Sequence, residues 1–192
     1  IVLDSQKSYS NRFHSSGGNE AYSVMANTLR NIYGTDVLIA TGNSFTGNVL
    51  KAGYTKKMAG NMIMPNSLSA YSSKMSGAEL KETVNNFVEG YEGGFIPFNR
   101  GSLPVLSGIS VEVKETDDGY TLSKITKDGK KVQDNDTFTV TCLAIPKHMK
   151  AYPADENIVF DEEDTTVKET WTGSVSDGNA VLAQPEDYIT LR

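Results

Sequence analysis

A single cysteine, Cys142, rules out an internal disulfide in this chain of 192 residues. It sits in the apolar run from Phe138 to Ile145 and reads as a buried, inert thiol. Histidine is almost as scarce, with only His14 and His148, and neither has a carboxylate at ligand spacing. A two-cation phosphoester centre needs several histidines and carboxylates around ions ~3.5–4 Å apart. No apolar run approaches the ~20 residues of a membrane-spanning helix. P-loop, dinucleotide and G-x-S-x-G patterns are also missing, so the common phosphate-cradling and serine-nucleophile signatures do not apply. Basic residues are outnumbered, 18 against 24 acidic, for a net charge of −6 and a pI near 5.0. That balance argues against a nucleic acid polymer as partner, though one phosphate needs only a few local donors.

What remains is an ordinary globular composition, 38% hydrophobic and 22% charged. A domain of this length buries ~70% of the surface its unfolded chain exposes. Seventeen glycines and nine tyrosines suit a mixed chain of turns and strands. The first residues, Ile1-Val2-Leu3, read as part of a strand, with no initiator methionine and no signal peptide. The expectation is a mature fragment whose upstream sequence is missing.

The spacing of Ala21, Val24, Met25, Leu29, Ile32 and Tyr33 predicts a helix from about Asn19 to Tyr33. Asn19 caps it, Glu20 favours its positive end, and Gly34 supplies a left-handed stop. Val37 to Ala40 then reads as a strand buried on both faces, and helix followed by buried strand indicates a layered α/β unit. Thr41-Gly42-Asn43-Ser44 is a polar loop leaving the carboxyl edge of that strand, where ligands collect in open sheets. Met62 to Met64 and Leu68 to Met75 read as extended. A second helix starts at Ser76, with Glu79 closing a capping box, and Leu80, Val84, Phe87, Val88 and Tyr91 form its stripe.

From Pro104 the period changes to two. Val105 to Lys114 reads as one strand, Asp117 to Gly119 as a hairpin turn, and Tyr120 to Ile125 as the return. Asp128-Gly129 makes a further turn before the Phe138–Ile145 strand. After Pro153 the pattern weakens into an acidic stretch, Asp155 to Asp164, and a mixed end containing Trp171. The expectation is a single α+β domain over 1–192, with a core of about 1–152 and a loosely patterned tail over 153–192.

Several features have both a bland and a functional reading. Gly17-Gly18 ahead of the first helix reads as a turn, or as amides offered to an anion. His148 lies between Lys147 and Lys150 in a solvated basic turn. His14 reads as an exposed polar residue, or as a helper to Arg12 in binding phosphate. The acidic stretch lacks the glycine and spacing of a calcium loop and reads as a solvated face. Phe95, Phe98 and Trp171 read as packing residues.

Five segments, in order, resemble the 5′-nucleotidase C-terminal domain family. Asn19 to Asp36 is similar to its first helix and approach to the buried strand, and Gly42 to Gly53 to its G-G-x-I-R loop. Ser76-Gly77-Ala78-Glu79-Leu80-Lys81-Glu82 resembles T-G-x-x-L-K-E. Leu106-Ser107-Gly108-Ile109 resembles V-S-G-L. Asp128-Gly129-Lys130 with Asp136 to Val140 resembles D-G-K followed by D-K-T-Y-T-V. Pro185 to Leu191 is similar to closing segments of such proteins.

The resemblance implies a mixed α/β, sheet-and-helix domain that recognises a nucleotide or nucleoside substrate. It is not catalytic alone. It implies an N-terminal metallophosphoesterase domain of the same protein, carrying a divalent dimetal centre, with no cofactor and no metal in this chain. An extracytoplasmic bacterial location follows from the same likeness. An alternative is a degenerate structural or interaction domain of a larger surface protein.

The positions that this resemblance makes substrate-contacting are Arg12, Asn43, Ser44, Thr46, Asn66 and Ile145. Thr46 stands at the loop arginine, Asn66 at the first base-stacking ring, and Ile145 at the second. Each lost ring removes about 1–3 kcal/mol of base stacking. The lost arginine contact removes on the order of 1.5–3 kcal/mol. Together they move a micromolar nucleotide site toward millimolar.

Overall fold

The computed structural model describes residues 18–45, 56–64, 66–89, 104–117, 119–144, 158, 161–176 and 183–192. Helix α1 spans Glu20–Tyr33 and obeys the local rules read from its sequence. Asn19 Oδ1 accepts the Tyr22 N–H at 3.0 Å, and Gly34 (φ +68°) donates its N–H to the Arg30 carbonyl. Strand β1, Val37–Thr41, is buried along its whole length and runs into a short 3₁₀ turn, Gly42–Ser44. A short helix α2, Lys56–Gly60, precedes strand β2, Ser69–Ser76. Of Met62 to Met64, only Ile63 is paired as strand, in an isolated antiparallel bridge to Phe45.

Helix α3 is Gly77–Glu89. Its capping box is reciprocal: Ser76 N–H donates to Glu79 Oε2 at 2.6 Å, and Glu79 N–H to Ser76 Oγ at 3.2 Å. The stretch expected as one strand over Val105–Lys114 is two, β3 (Pro104–Ser107) and β4 (Ser110–Thr116), which belong to different sheets. Gly108, at φ +82°, makes the break. Strands β5 (Gly119–Lys127) and β6 (Lys130–Lys131) complete a meander, their turn taken by Asp128 (φ +50°) and Gly129 (φ +76°). Two successive left-handed residues are the geometry of a primed hairpin turn.

Strand β7 is Thr137–Ala144, with Cys142 fully buried in it. The weakly patterned end of the sequence supplies a two-residue strand β8 (Asp161–Glu162), helix α4 (Val167–Ser176) and strand β9 (Ile189–Leu191). Among the described residues the strands form one sheet ordered β3-β1-β7-β2-β8 and another ordered β6-β5-β4-β9. Pairing in the first is antiparallel except between β1 and β7, and in the second except between β4 and β9.

Register places Ser107, Leu38, Thr141 and Ser72 in one row across the first sheet. Helix α1 covers this face, where Arg30 Nε donates to Ser107 Oγ at 2.8 Å. Helix α3 covers the opposite face, where Thr83 Oγ1 lies 3.8 Å from Met75 Sδ, and packs also on β5 of the second sheet. It is therefore the element between the two sheets. Trp171 and Val167, four residues apart on α4, are both fully buried, and Trp171 Nε1 donates to the Ala59 carbonyl at 3.1 Å.

Candidate functional site at the carboxyl edge of the first sheet

The Gly42–Ser44 turn leaves β1 at the edge where its parallel neighbour β7 also ends. Four contacts fix it. Thr41 Oγ1 and Ser44 Oγ lie 3.2 Å apart, and Met64 N–H donates to the Ser44 carbonyl at 3.0 Å. Phe45 bridges Ile63, and its ring meets Tyr22 of α1 with centroids 5.4 Å apart. A ring pair of this kind is worth about 0.5–1.5 kcal/mol beyond its area.

These contacts bring two candidate segments to one wall. Ser44 is bound to Met64, and Asn66 follows two residues later. Ser44 is itself buried, its hydroxyl turned to Thr41, so it shapes the turn. Asn66 is exposed, and its Oδ1 accepts Lys168 Nζ of α4 at 2.7 Å. Asn43 lies within the turn. Arg12, Thr46 and Ile145 lie outside the described residues, as do His14, His148, Phe95 and Phe98.

Lys168 is the residue of this wall that the sequence reading missed. Its signal was present, since Val167 and Trp171 have the i, i+4 spacing of a buried helical stripe. The capping box Thr166/Glu169 marks that helix start as well: Glu169 Oε2 accepts the Thr166 N–H at 2.9 Å, and Thr166 Oγ1 accepts the Glu169 N–H at 3.2 Å. The Thr166 hydroxyl and amide together hold the Glu169 carboxyl below its usual range.

Burial shifts the tyrosines near α1 in the other direction. Desolvation raises Tyr22 and pushes Tyr33 up to about 12. Among the described residues no three histidine, cysteine, aspartate or glutamate side chains come together as metal ligands. Asp161 to Asp164 are all exposed. No described helix is long and apolar enough to cross a membrane.

The arrangement is that of a two-sheet α+β domain with a polar wall at the carboxyl edge of its parallel strand pair. Residues 4–145 match the sequence model of the family described as 5′-nucleotidase, C-terminal domain, and the chain belongs to that family. No curated protein sequence matches it. Among solved structures, a 5′-nucleotidase precursor from Thermus thermophilus has a TM-score of 0.74 at 12% identity, covering 100% of this chain and 39% of its own. A putative 5′-nucleotidase from Staphylococcus aureus, solved with α-ketoglutarate, has a TM-score of 0.71 at 16% identity, covering 96% and 40%. The NAD nucleotidase of Haemophilus influenzae has a TM-score of 0.68 at 16% identity, covering 92% and 33%. The likeness is one of fold, and the chain spans two fifths or less of each of these proteins.

Proposed function

We propose that this domain recognises a phosphorylated substrate for a larger phosphoesterase and does not itself cleave it. Family membership supports the reading, and the carrying observation is the meeting of the Ser44 turn with the Met64–Asn66 segment. A wall built from two separate loops, both tied to a rigid sheet edge, suits substrate positioning. Hydrolysis is assigned to an N-terminal metallophosphoesterase domain, whose divalent ions would supply the nucleophile and stabilise the leaving oxygen. An extracytoplasmic bacterial location goes with the same proposal.

The replacement of a stacking ring by Asn66, bonded to Lys168, favours a weak or altered nucleotide site. Calorimetric titration of the chain with nucleosides and nucleotides is the test. Binding in the millimolar range, weakened by Lys168→Ala, is the expected result. Silence toward all of them at millimolar concentration would leave the structural or interaction role as the better account.

A further inference from the structure

A second polar opening lies at the other end of β1. It is a cleft of about 320 Å3 among the Gly108 bend, the Asp128-Gly129 turn and the extended segment before β9. Small-molecule pockets run from about 300 to 1,000 Å3, so a small ligand fits this volume. Arg30 lines it, with a guanidinium bonded through Nε and Nη1. Nε donates to Ser107 Oγ at 2.8 Å and Nη1 to the Asp36 carbonyl at 3.4 Å. Ser107 in turn donates to Asn27 Oδ1 at 2.5 Å.

Gly108 makes room for this side chain, since a Cβ there would stand 3.2 Å from both Arg30 Cδ and Nη1. Arg30 Nη2 has no partner among the described residues. The fork is held in place with an open edge, the arrangement that receives a carboxylate with little entropy left to lose.

The rest of the lining selects among anions. Lys127 adds a second cation, paired at 3.7 Å with Asp128, whose side chain is 86% exposed. Glu186 lines the same cleft, its backbone fixed on both sides by Ser23, at 2.8 Å and 3.0 Å. Its carboxylate forms no ion pair among the described residues. The Asp36 carboxylate lies near both cations, so a dianion drawn to Arg30 and Lys127 would be repelled by Asp36, Glu186 and Asp128, and a simple cation would meet the reverse. A molecule carrying both charges satisfies both sides.

We infer that this cleft binds a small zwitterion of the free amino acid type, its carboxylate on the open edge of Arg30 and its ammonium toward Glu186. The inference is independent of the wall at the opposite end of β1. Titration of the isotopically labelled chain with glycine, acetate and methylammonium tests it, read at the amides of Gly108, Ile109 and Gly129. Glycine should move these signals with saturation in the millimolar range, and each half-ligand alone should bind at least about tenfold more weakly.

Glu186→Gln should weaken glycine about tenfold and leave acetate unchanged or tighter. Arg30→Gln should abolish the response. Because Arg30 also ties α1 to β3, Lys127→Met provides a variant outside that network and should weaken glycine severalfold. Unmoved amides at ~50 mM glycine, an equal response to acetate, or a Glu186→Gln variant that binds like the parent would each overturn the proposal.

Discussion

The Tyr188 hydroxyl accepts the backbone N–H of Asn19 at 3.1 Å, joining the last segment of the chain to the first turn of α1 across 169 residues. Both residues are buried, and burial raises the phenol far above its ordinary range. Four residues on, Ser23 Oγ accepts the Glu186 N–H at 2.8 Å, and four further, Asn27 Nδ2 donates to the Gln184 carbonyl at 2.8 Å. The buried polar side chains Ser23, Asn27 and Thr28 of α1 thus pair with the backbone of residues 183, 184 and 186, which explains polar side chains on a covered helical face.

Removing the Tyr188 hydroxyl removes this hydrogen bond. Tyr188→Phe should destabilise the domain by about 0.5–1.5 kcal/mol, the net worth of one intramolecular hydrogen bond. Asn19→Ala removes the side-chain cap and should cost about 1 kcal/mol. Urea denaturation of the two variants and the double variant measures both. Loss of less than about 0.5 kcal/mol for Tyr188→Phe would show that the contact is solvated.

Two glycines with left-handed backbones should respond differently to alanine. At Gly108 an added Cβ would lie 2.1 Å from the Asp36 carbonyl oxygen, a backbone atom that cannot turn aside. Gly108→Ala is expected to cost about 3 kcal/mol or more, strain and overpacking together. At Gly34 nothing lies within 4 Å, so only the φ of +68° opposes the change, and Gly34→Ala should cost about 1–2 kcal/mol. Equal losses in thermal denaturation would contradict the packing argument.

Asp36 sets an acid limit. The Thr139 N–H and hydroxyl both donate to its Oδ2 at 2.8 Å, and with Lys127 and Arg30 nearby they hold the carboxyl below its usual range. A depressed folded-state pKa contributes stability above the unfolded value, near 3.9, that is lost as pH falls through the folded one. Denaturation midpoints should therefore drop more steeply below about pH 4 for the parent than for Asp36→Asn. Parallel curves for the two would remove Asp36 from the acid response.

The fully buried Trp171 is the only tryptophan in the chain. Its emission should be blue-shifted in the folded state and move red on unfolding. Trp171→Phe keeps most of the apolar volume but leaves the Ala59 carbonyl without its indole donor. A loss of about 1–3 kcal/mol is expected, against about 3–5 kcal/mol for Trp171→Ala.

Local rules made α1, its Asn19 cap, its Gly34 stop and the Ser76/Glu79 box legible, because each depends on residues within four positions. The glycines of two of the motifs that carried the resemblance have physical reasons that sequence does not display. Gly77 faces the Gln133 carbonyl, which would stand 1.8 Å from a Cβ, and Gly108 faces Asp36. The alternation of Val105 to Lys114 was visible, but period two does not tell which sheet a strand joins. Strands β8 and β9, of two and three residues, are too short to show a period at all. They form because β2 and β4 offer them an edge. At the candidate wall, the Ser44 turn was legible as a polar loop at a strand end, while Lys168, the partner of Asn66, depends on the packing of α4.

Asn66 offers a gain-of-function test of that wall. It is exposed and bonded to a half-buried lysine at the surface, an arrangement worth no more than about 1 kcal/mol, so its replacement should leave the fold intact. If the position is where a nucleobase would lie, Asn66→Phe supplies a stacking face of about 1–3 kcal/mol. Adenosine affinity should then rise roughly 5- to 150-fold, with ribose 5-phosphate, which has no base, unaffected. Calorimetry with both ligands separates a stacking gain from a general one. An adenosine affinity that does not change would mean that the base, if bound, lies elsewhere than over Asn66.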